Sequence, residues 1–444
     1  MAKQSFDKRI KETPADDDRE VAVILKAVMP GDPSVKLGGV DPVAEIMALA
    51  DTAGLRVVSA VLQKRDRPHP GTYVGRGKLE ELKQEAERVG AHVILVDDPI
   101  SPAQGRNIEE TTELRVVDRS ELIMDIFARN ARSHQAKIQI ELAQLQYFQS
   151  RLTRMWTHLS RMEGGEVGTR GPGETQLETD RRIIGKKISV LRNRLVQIEK
   201  QAHTQHKSRE GSFRIALVGY TNAGKSTMLK RLTGADVLIE NRLFSTLDTS
   251  TRKWDLDVPF DVLLSDTVGF IRKLPHDLVA SFHATLMEAR EADLLLHIID
   301  ASSLTIEFDI ESVNRTLSRI ECDEHHTLMI FNKLDQVADA QLIDLQHMLA
   351  EHGDSFAVSA ADGTGIEKVI EHILGIAQLR EERGEYQLPH SRSDLAARLR
   401  TLATVEREEF LDDGIFLEAR FESGQKARWE KALREAGLLP PISS

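Results

Sequence analysis

Residues 219–226 (GYTNAGKS) constrain this chain more tightly than any other stretch, because they fill every fixed position of the pattern G-x-x-x-x-G-K-[ST]. The apolar run before them, 213–218 (FRIALV), reads as a buried strand, and 226–232 reads as the opening turns of a helix. That order has a physical purpose. Glycines let successive backbone N–H groups converge on an anion, the start of a helix adds positive partial charge, a lysine reaches outer phosphate oxygens, and a hydroxyl is offered to Mg2+. The expectation is an α/β chain built on a P-loop, with a doubly wound and mainly parallel sheet. Gly219, Tyr220, Thr221, Asn222, Ala223, Gly224, Lys225, Ser226 and Thr227 would then surround a nucleoside triphosphate.

The base is read further along. Asn332, Lys333 and Asp335 (NKLD) follow the apolar run 327–331, which looks like a parallel strand delivering them to its carboxyl edge. A carboxylate at Asp335 can accept from both donors on the Watson–Crick edge of guanine, whereas adenine would leave it unpaired, so GTP is expected rather than ATP. Ser359 and Ala360, after the short strand 356–358, would complete the base pocket, with the Ala360 N–H facing the guanine carbonyl oxygen. Between these motifs, 266–269 (DTVG) ends an apolar strand; Asp266 suits Mg2+ held through water, and the Gly269 N–H suits the γ-phosphate.

The threonine-rich stretch 243–252 is placed as the first switch, with Thr246 as the second hydroxyl on Mg2+ and Thr249 and Thr251 as rivals. Lys225, Thr246, Asp266 and Gly269 form the candidate catalytic set, and Ser226, Thr246 and Asp266 the metal set. Asn222, three residues before the loop lysine, is a candidate ligand for K+ beside the phosphates. Where many enzymes of this kind carry a water-orienting glutamine after D-x-x-G, this chain has Phe270, which can neither donate nor accept. Slow intrinsic hydrolysis and assistance from a partner are therefore expected.

With 444 residues the chain exceeds what one core usually supports. A single cysteine, Cys322, excludes an internal disulfide framework and any thiolate metal cluster. No apolar run is long enough to span a bilayer and no leader pattern is present, so a cytoplasmic protein is expected. The net charge of −11 argues against indiscriminate adhesion to nucleic acid, yet residues 131–209 hold 15 Lys and Arg against 7 Asp and Glu. That segment could meet phosphate backbones, or could be a solvated charged coiled coil.

The sequence divides into a disordered tail (1–18), an N-terminal α/β domain (19–131), an antiparallel helical hairpin with a glycine-rich loop (132–209), a nucleotide domain (210–378) and a small C-terminal α+β domain (379–444). The apolar stripes Ile138, Leu142, Leu145, Phe148, Leu152, Met155, Leu159 and Ile184, Ile188, Leu191, Leu195, Ile198 predict the hairpin, with Tyr147 and Trp156 at its seam. Residues 164–173 carry five glycines and read as a contact element, 75–78 (GRGK) as a structural turn, and 201–212 as a linker. In the tail, 379 onward reads as a charged linker, followed by a helix over 395–410, a strand over 415–421 and a helix over 427–436.

Together, GYTNAGKST, FSTLDTSTR (244–252), DTVGFIRKLPHDLV (266–279), NKLD, YVGRGKLEEL (73–82) and GTRGPGETQLETDRR (168–182) resemble the HflX family of translational GTPases. The resemblance covers nearly the whole chain from about residue 19 and is weakest after 378. It implies GTP turnover to GDP, binding to the large ribosomal subunit and its rRNA near the peptidyl-transferase centre, and splitting or rescue of stalled ribosomes. The glycine loop would be the RNA-probing element and the protein a monomer. The chain departs from the family at Thr249, where proline is common. The alternative from another class is a GTP-gated scaffold that binds a protein partner and hydrolyses GTP incidentally. Salt dependence separates the two, being steep for phosphate contacts and shallow for an apolar protein interface.

Overall fold

The computed structural model describes residues 19–162, 176–207, 211–235, 243–244, 250–273, 283–422 and 424–438. The chain opens with β1 (Glu20–Val28), α1 (Ala44–Thr52), β2 (Leu55–Lys64), α2 (Arg76–Val89), β3 (Val93–Val96), α3 (Pro102–Thr112), β4 (Arg115–Asp118) and α4 (Arg119–Asn130). The four strands pair in parallel, in the order β2-β1-β3-β4. Side chains alternate across a strand, so a central strand covered on both faces must be mostly apolar, as β1 is from Val21 to Leu25, and its buried Lys26 is paired with Asp32 and Asp97. Val21, Val23 and Leu25 pack against Leu79, Leu82 and Ala86 of α2, while Ala22 and Ile24 pack against Ile46 and Leu49 of α1 and Ile123 of α4. Local signals agree with these elements: Ser101 and Gln104 cap α3 reciprocally behind Pro102, and Gly90 closes α2 in the left-handed region. Gly75 is the residue that starts α2, and its N–H donates to Gln63 Oε1 at 2.9 Å.

Two long helices follow, α5 (His134–Met162) and α6 (Gln176–Lys207), joined by Ile138, Leu142, Ile188, Leu191 and Leu195. α6 runs on to Lys207, through most of the stretch expected to be a linker, since residues 201–207 hold no glycine or proline. Tyr147 and Phe148 turn away from the hairpin seam and join the core beneath α4. Residues 164–173 lie outside the described residues.

The nucleotide part comprises β5 (Phe213–Gly219), α7 (Lys225–Thr233), β6 (Ser250–Trp254), β7 (Val262–Asp266), α8 (His283–Arg290), β8 (Leu294–Asp300), α9 (Ile306–Arg319), β9 (Thr327–Asn332), α10 (Leu342–Glu351), β10 (Ser355–Ala357) and α11 (Ile366–Gln378). Its sheet runs β10-β9-β8-β5-β7-β6, parallel except for β6. The apolar cluster beneath α4 does not stop at the first sheet. It continues through Phe244, Val268, Phe270 and Ile271 to Ala216 and Val218 of β5, so the first and second sheets share a core.

The C-terminal part is a three-stranded antiparallel sheet, β11 (Glu381–Leu388), β13 (Gly414–Glu422) and β12 (Thr404–Leu411), packed with α12 (Ser393–Leu402) and α13 (Gln425–Glu435) around Trp429, Phe421 and Leu417. Two expectations are corrected here. The charged stretch after 379 is strand β11, and the helix expected over 395–410 ends at Leu402, its second half being strand β12. Both strands flank β13, pairing along their length with it. They turn charged faces to solvent, so their sequences carry little apolar signal.

Candidate active site

The site lies where the carboxyl ends of β5, β8 and β9 meet the amino end of α7, the edge at which such a sheet opens a crevice. Gly224 starts α7 at φ 96, and a Cβ there would stand 2.3 Å from Asn332 Nδ2, so glycine is required by both backbone and space. Lys225 is buried and donates from Nζ to the carbonyl oxygens of Tyr220 at 2.9 Å and Gly219 at 3.2 Å. Burial lowers its ammonium to about 8, with the charge of Asp266 acting in the opposite direction. Ser226 Oγ donates to Asp266 Oδ2 at 2.6 Å, and Asp266 is fully buried at the end of β7. A hydroxyl beside a carboxylate is a hard oxygen pair that fits Mg2+. Among the described residues no group of three or more His, Cys, Asp or Glu is gathered to hold a metal. An ion that shares its shell with phosphates and water needs no such cage.

The residues assigned from sequence to the base lie close together. Asn332, at the end of β9, donates from Nδ2 to the Ala223 carbonyl at 2.9 Å and accepts from the Ala360 N–H at 2.9 Å, bridging the phosphate loop to the turn after β10. That N–H, expected to face guanine, is thus bonded to Asn332 in this structure. Ser359 Oγ donates to Asp335 Oδ1 at 2.7 Å, and Lys333, in the left-handed region at φ 64, pairs with Asp300 Oδ2 at 2.7 Å.

Of the switch candidates, Thr246 and Thr249 lie outside the described residues. Thr251 is on β6, its hydroxyl 2.9 Å from Ser265 Oγ across the sheet. Gly269 passes so close to the phosphate loop that a Cβ would stand 2.8 Å from Thr221 Cα and 3.1 Å from Lys225 Nζ. Phe270 is 3% exposed and packs in the shared core. Its N–H donates to Gly219 O at 3.0 Å and its carbonyl accepts from the Thr221 N–H at 2.7 Å, stitching the segment after D-x-x-G to the loop. Asn222 is exposed, at φ 61.

Three family profiles match in succession: one described as GTP-binding GTPase N-terminal over residues 41–128, one as GTP-binding GTPase Middle Region over 130–209, and one as 50S ribosome-binding GTPase over 214–333. The chain is 42% identical to GTPase HflX of Escherichia coli (strain K12) over 373 residues, 83% of this chain and 87% of that protein. It is 40% identical to GTPase HflX of Lacrimispora saccharolytica over 402 residues, 90% and 93% of the two chains. The chain belongs to the HflX family of GTPases. It is accordingly a GTP-binding enzyme that hydrolyses GTP. Among solved structures, the SsGBP–GDP complex is 25% identical, with 81% of this chain and 99% of that chain covered and a TM-score of 0.45.

In this HflX-family chain the N-terminal sheet touches both sides of the nucleotide site, which the sequence does not announce. Glu45 of α1 is the hub. The Tyr220 hydroxyl donates to its Oε1, and its Oε2 receives Arg119 Nη2 at 2.8 Å and Arg272 Nε at 3.2 Å. The same tyrosine hydroxyl accepts from the Arg272 N–H at 3.0 Å. Burial pushes the Glu45 carboxyl up, but Arg119, Arg272 and Tyr220 outweigh it and hold it below the usual carboxylate range. Beside it, Lys273 pairs with Asp98, and Arg119 with Asp97 at 2.7 Å. On the first-switch side, the Phe244 ring meets Phe127 edge-on at 4.6 Å, and its carbonyl accepts from Asn130 Nδ2 at 2.8 Å. Most of these contacts join residues more than a hundred positions apart, as Glu45 with Tyr220 and Arg272, Asp98 with Lys273, and Asn130 with Phe244, and no periodic signal links them.

Proposed function

We propose that this chain is a GTP-driven factor that binds the large ribosomal subunit and splits or rescues stalled ribosomes. The observation that carries the proposal is the pairing of a complete phosphate-and-base constellation with a basic two-helix arm in one chain: 15 Lys and Arg against 7 acids over 131–209 in a protein of net charge −11. The description of the profile matched by 214–333, 50S ribosome-binding GTPase, points the same way. In this reading the arm meets rRNA phosphates, the loop at 164–173 probes the RNA, and the protein acts as a cytoplasmic monomer. No helix among the described residues is long and apolar enough to cross a membrane.

The backbone N–H groups of residues 219–227 and the amino end of α7 cradle the phosphates, and Lys225 neutralises charge on the transferred phosphoryl group. Ser226 and Asp266 hold Mg2+, with Thr246 as a further hydroxyl; the ion, when bound, supplies positive charge against the outer phosphate oxygens. Asn332, Lys333, Asp335, Ser359 and Ala360 hold guanine, Gly269 meets the γ-phosphate, and Asn222 ligates K+. Phe270 is packed in the core and offers no hydrogen bond to a water, so the group that orients the nucleophile comes with the docked subunit.

The test is steady-state GTP hydrolysis with and without purified large subunits, in K+ and in Na+ buffers and across a salt series. Stimulation of at least about a hundredfold is expected, since supplying one missing transition-state contact commonly restores about 10²–10⁴ in rate. It should collapse as salt rises through the range in which phosphate contacts dissociate. GTP turnover indifferent to the subunits would overturn the ribosomal reading.

A further inference from the structure

The turn that reads the base has a second tether, and it comes from the far end of the phosphate-loop helix. Arg231 sits in the last turn of α7. An arginine there ordinarily bonds the closing carbonyls of its own helix, but this one reaches another element. Its Nε donates to the Ala360 carbonyl oxygen at 3.0 Å and its Nη2 donates to the Ala361 carbonyl oxygen. Nη1 stands 3.5 Å from where a Cβ on Gly363 would be, and Gly363 lies at φ 102, so the turn can carry no larger residue there without strain.

The turn closes on itself through Gly363 N–H to Ser359 O at 2.8 Å and Ser359 N–H to Thr364 O at 2.9 Å. Asn332 holds the N–H of Ala360. Arg231 therefore supplies what the turn lacks, a grip on its outward carbonyls. A planar guanidinium that engages two successive carbonyls fixes the planes of both peptides, and with them the direction of the Ala360 N–H and the seat of Ser359 against Asp335.

We infer that Arg231 is a positioning residue for guanine selection: it acts through the backbone, holding the 359–363 turn in the orientation that reads the base. The inference rests on the assignment of Asp335 and Ala360 to guanine proposed above. Because α7 begins at the phosphate loop, the same helix that binds phosphate at its amino end aligns the base reader at its carboxyl end, which ties the spacing of the two subsites to one rigid element.

The experiment compares the full-length wild type with Arg231→Ala and Arg231→Lys, measuring release of fluorescent GDP, steady-state GTP hydrolysis, and competition by inosine and adenine diphosphates. Arg231→Ala is expected to release GDP about tenfold faster and to raise the KM for GTP about tenfold, the loss that two weakened charge-assisted hydrogen bonds allow. Its kcat should stay within about twofold, the signature of lost binding rather than lost chemistry. Its preference for guanine over inosine should shrink, because a mis-set turn no longer offers Asp335 squarely to the 2-amino group. Arg231→Lys, which keeps the charge but not the planar fork, should fall between the two. GDP release within twofold of wild type in Arg231→Ala, or a lysine variant identical to wild type, overturns the inference. A wild type that fails to prefer guanine over adenine overturns the base-pocket assignment itself, which is a separate result.

Discussion

Lys225 shows how one buried side chain sets a measurable property of the site. It is 6% exposed and its nearest polar neighbours are backbone carbonyls of its own loop, so burial costs the charged form and its ammonium titrates at about 8. Phosphates bind the charged form only, and their negative charge raises the value again in the complex. Nucleotide affinity should therefore be level below pH 8 and decline above it as the free protein loses its proton. From pH 7 to pH 9 the affinity for GDP is expected to fall about tenfold, the population of ammonium lost over one unit above its midpoint. Equilibrium titration with fluorescent GDP across that range checks it; an affinity flat to pH 9 would mean that the ammonium of the free protein is not depressed.

At the scale of elements, β8 carries a second titration with the opposite consequence. His297 is buried in the middle of the sheet, between Val218 of β5 and Met329 of β9, and burial, reinforced by the charge of Lys225, lowers its imidazole to about 3. The unfolded chain takes up a proton near 6.5 while the folded one refuses it. Stability due to the neutral ring is complete above pH 6.5 and is lost as pH falls toward 3, by roughly 1.4 kcal/mol per pH unit. In urea unfolding between pH 6 and 4, His297→Leu should show a pH slope shallower by about that amount. Equal slopes would show that the histidine is not a source of acid sensitivity.

The same sheet illustrates what was legible in advance. β5, β7 and β9 are covered on both faces and are mostly apolar, so the motifs that follow them could be placed at strand ends from sequence alone, whereas β8, with His297 at its centre, is followed by no such motif. β11 and β12 are the reverse case: Glu381, Glu382, Arg383 and Glu406 to Glu409 face water or pair with Arg420, and only the partner strand β13 makes them strands. Within the site, residues joined by local spacing were found, whereas Arg231, Asp300, Glu45 and Arg272 owe their roles to contacts across distant segments and have no signature in one sequence.

On the scale of the whole molecule, the N-terminal sheet, the phosphate loop and the segment after D-x-x-G meet in one buried charge cluster, while Arg420 ties the C-terminal sheet to Asp257 at 2.9 Å on the far side. Glu45 is the single carboxylate that Tyr220, Arg119 and Arg272 all address. Replacing it by glutamine keeps the volume and an acceptor for Tyr220, but leaves Arg119, 1% exposed, with Asp97 as its charged partner and Arg272 without Glu45. Removing one member of a buried pair typically costs about 3–5 kcal/mol, most of it the penalty of the charge left behind. That cost falls on the contact between the sheets, and a multi-part chain is poorly served by a single unfolding midpoint. Hydrogen exchange at the Thr221 and Phe270 amides, whose bonds stitch the loop to the following segment, reads it locally. Glu45→Gln is expected to speed exchange at both amides by about 10²–10³, since each 1.4 kcal/mol is tenfold. Glu311→Gln, which breaks an exposed pair with Arg315 one helical turn away, should leave them within about twofold. Equal protection in the two variants would mean that the shared apolar core through Phe127, Phe244 and Phe270 holds the sheets together without the charge cluster.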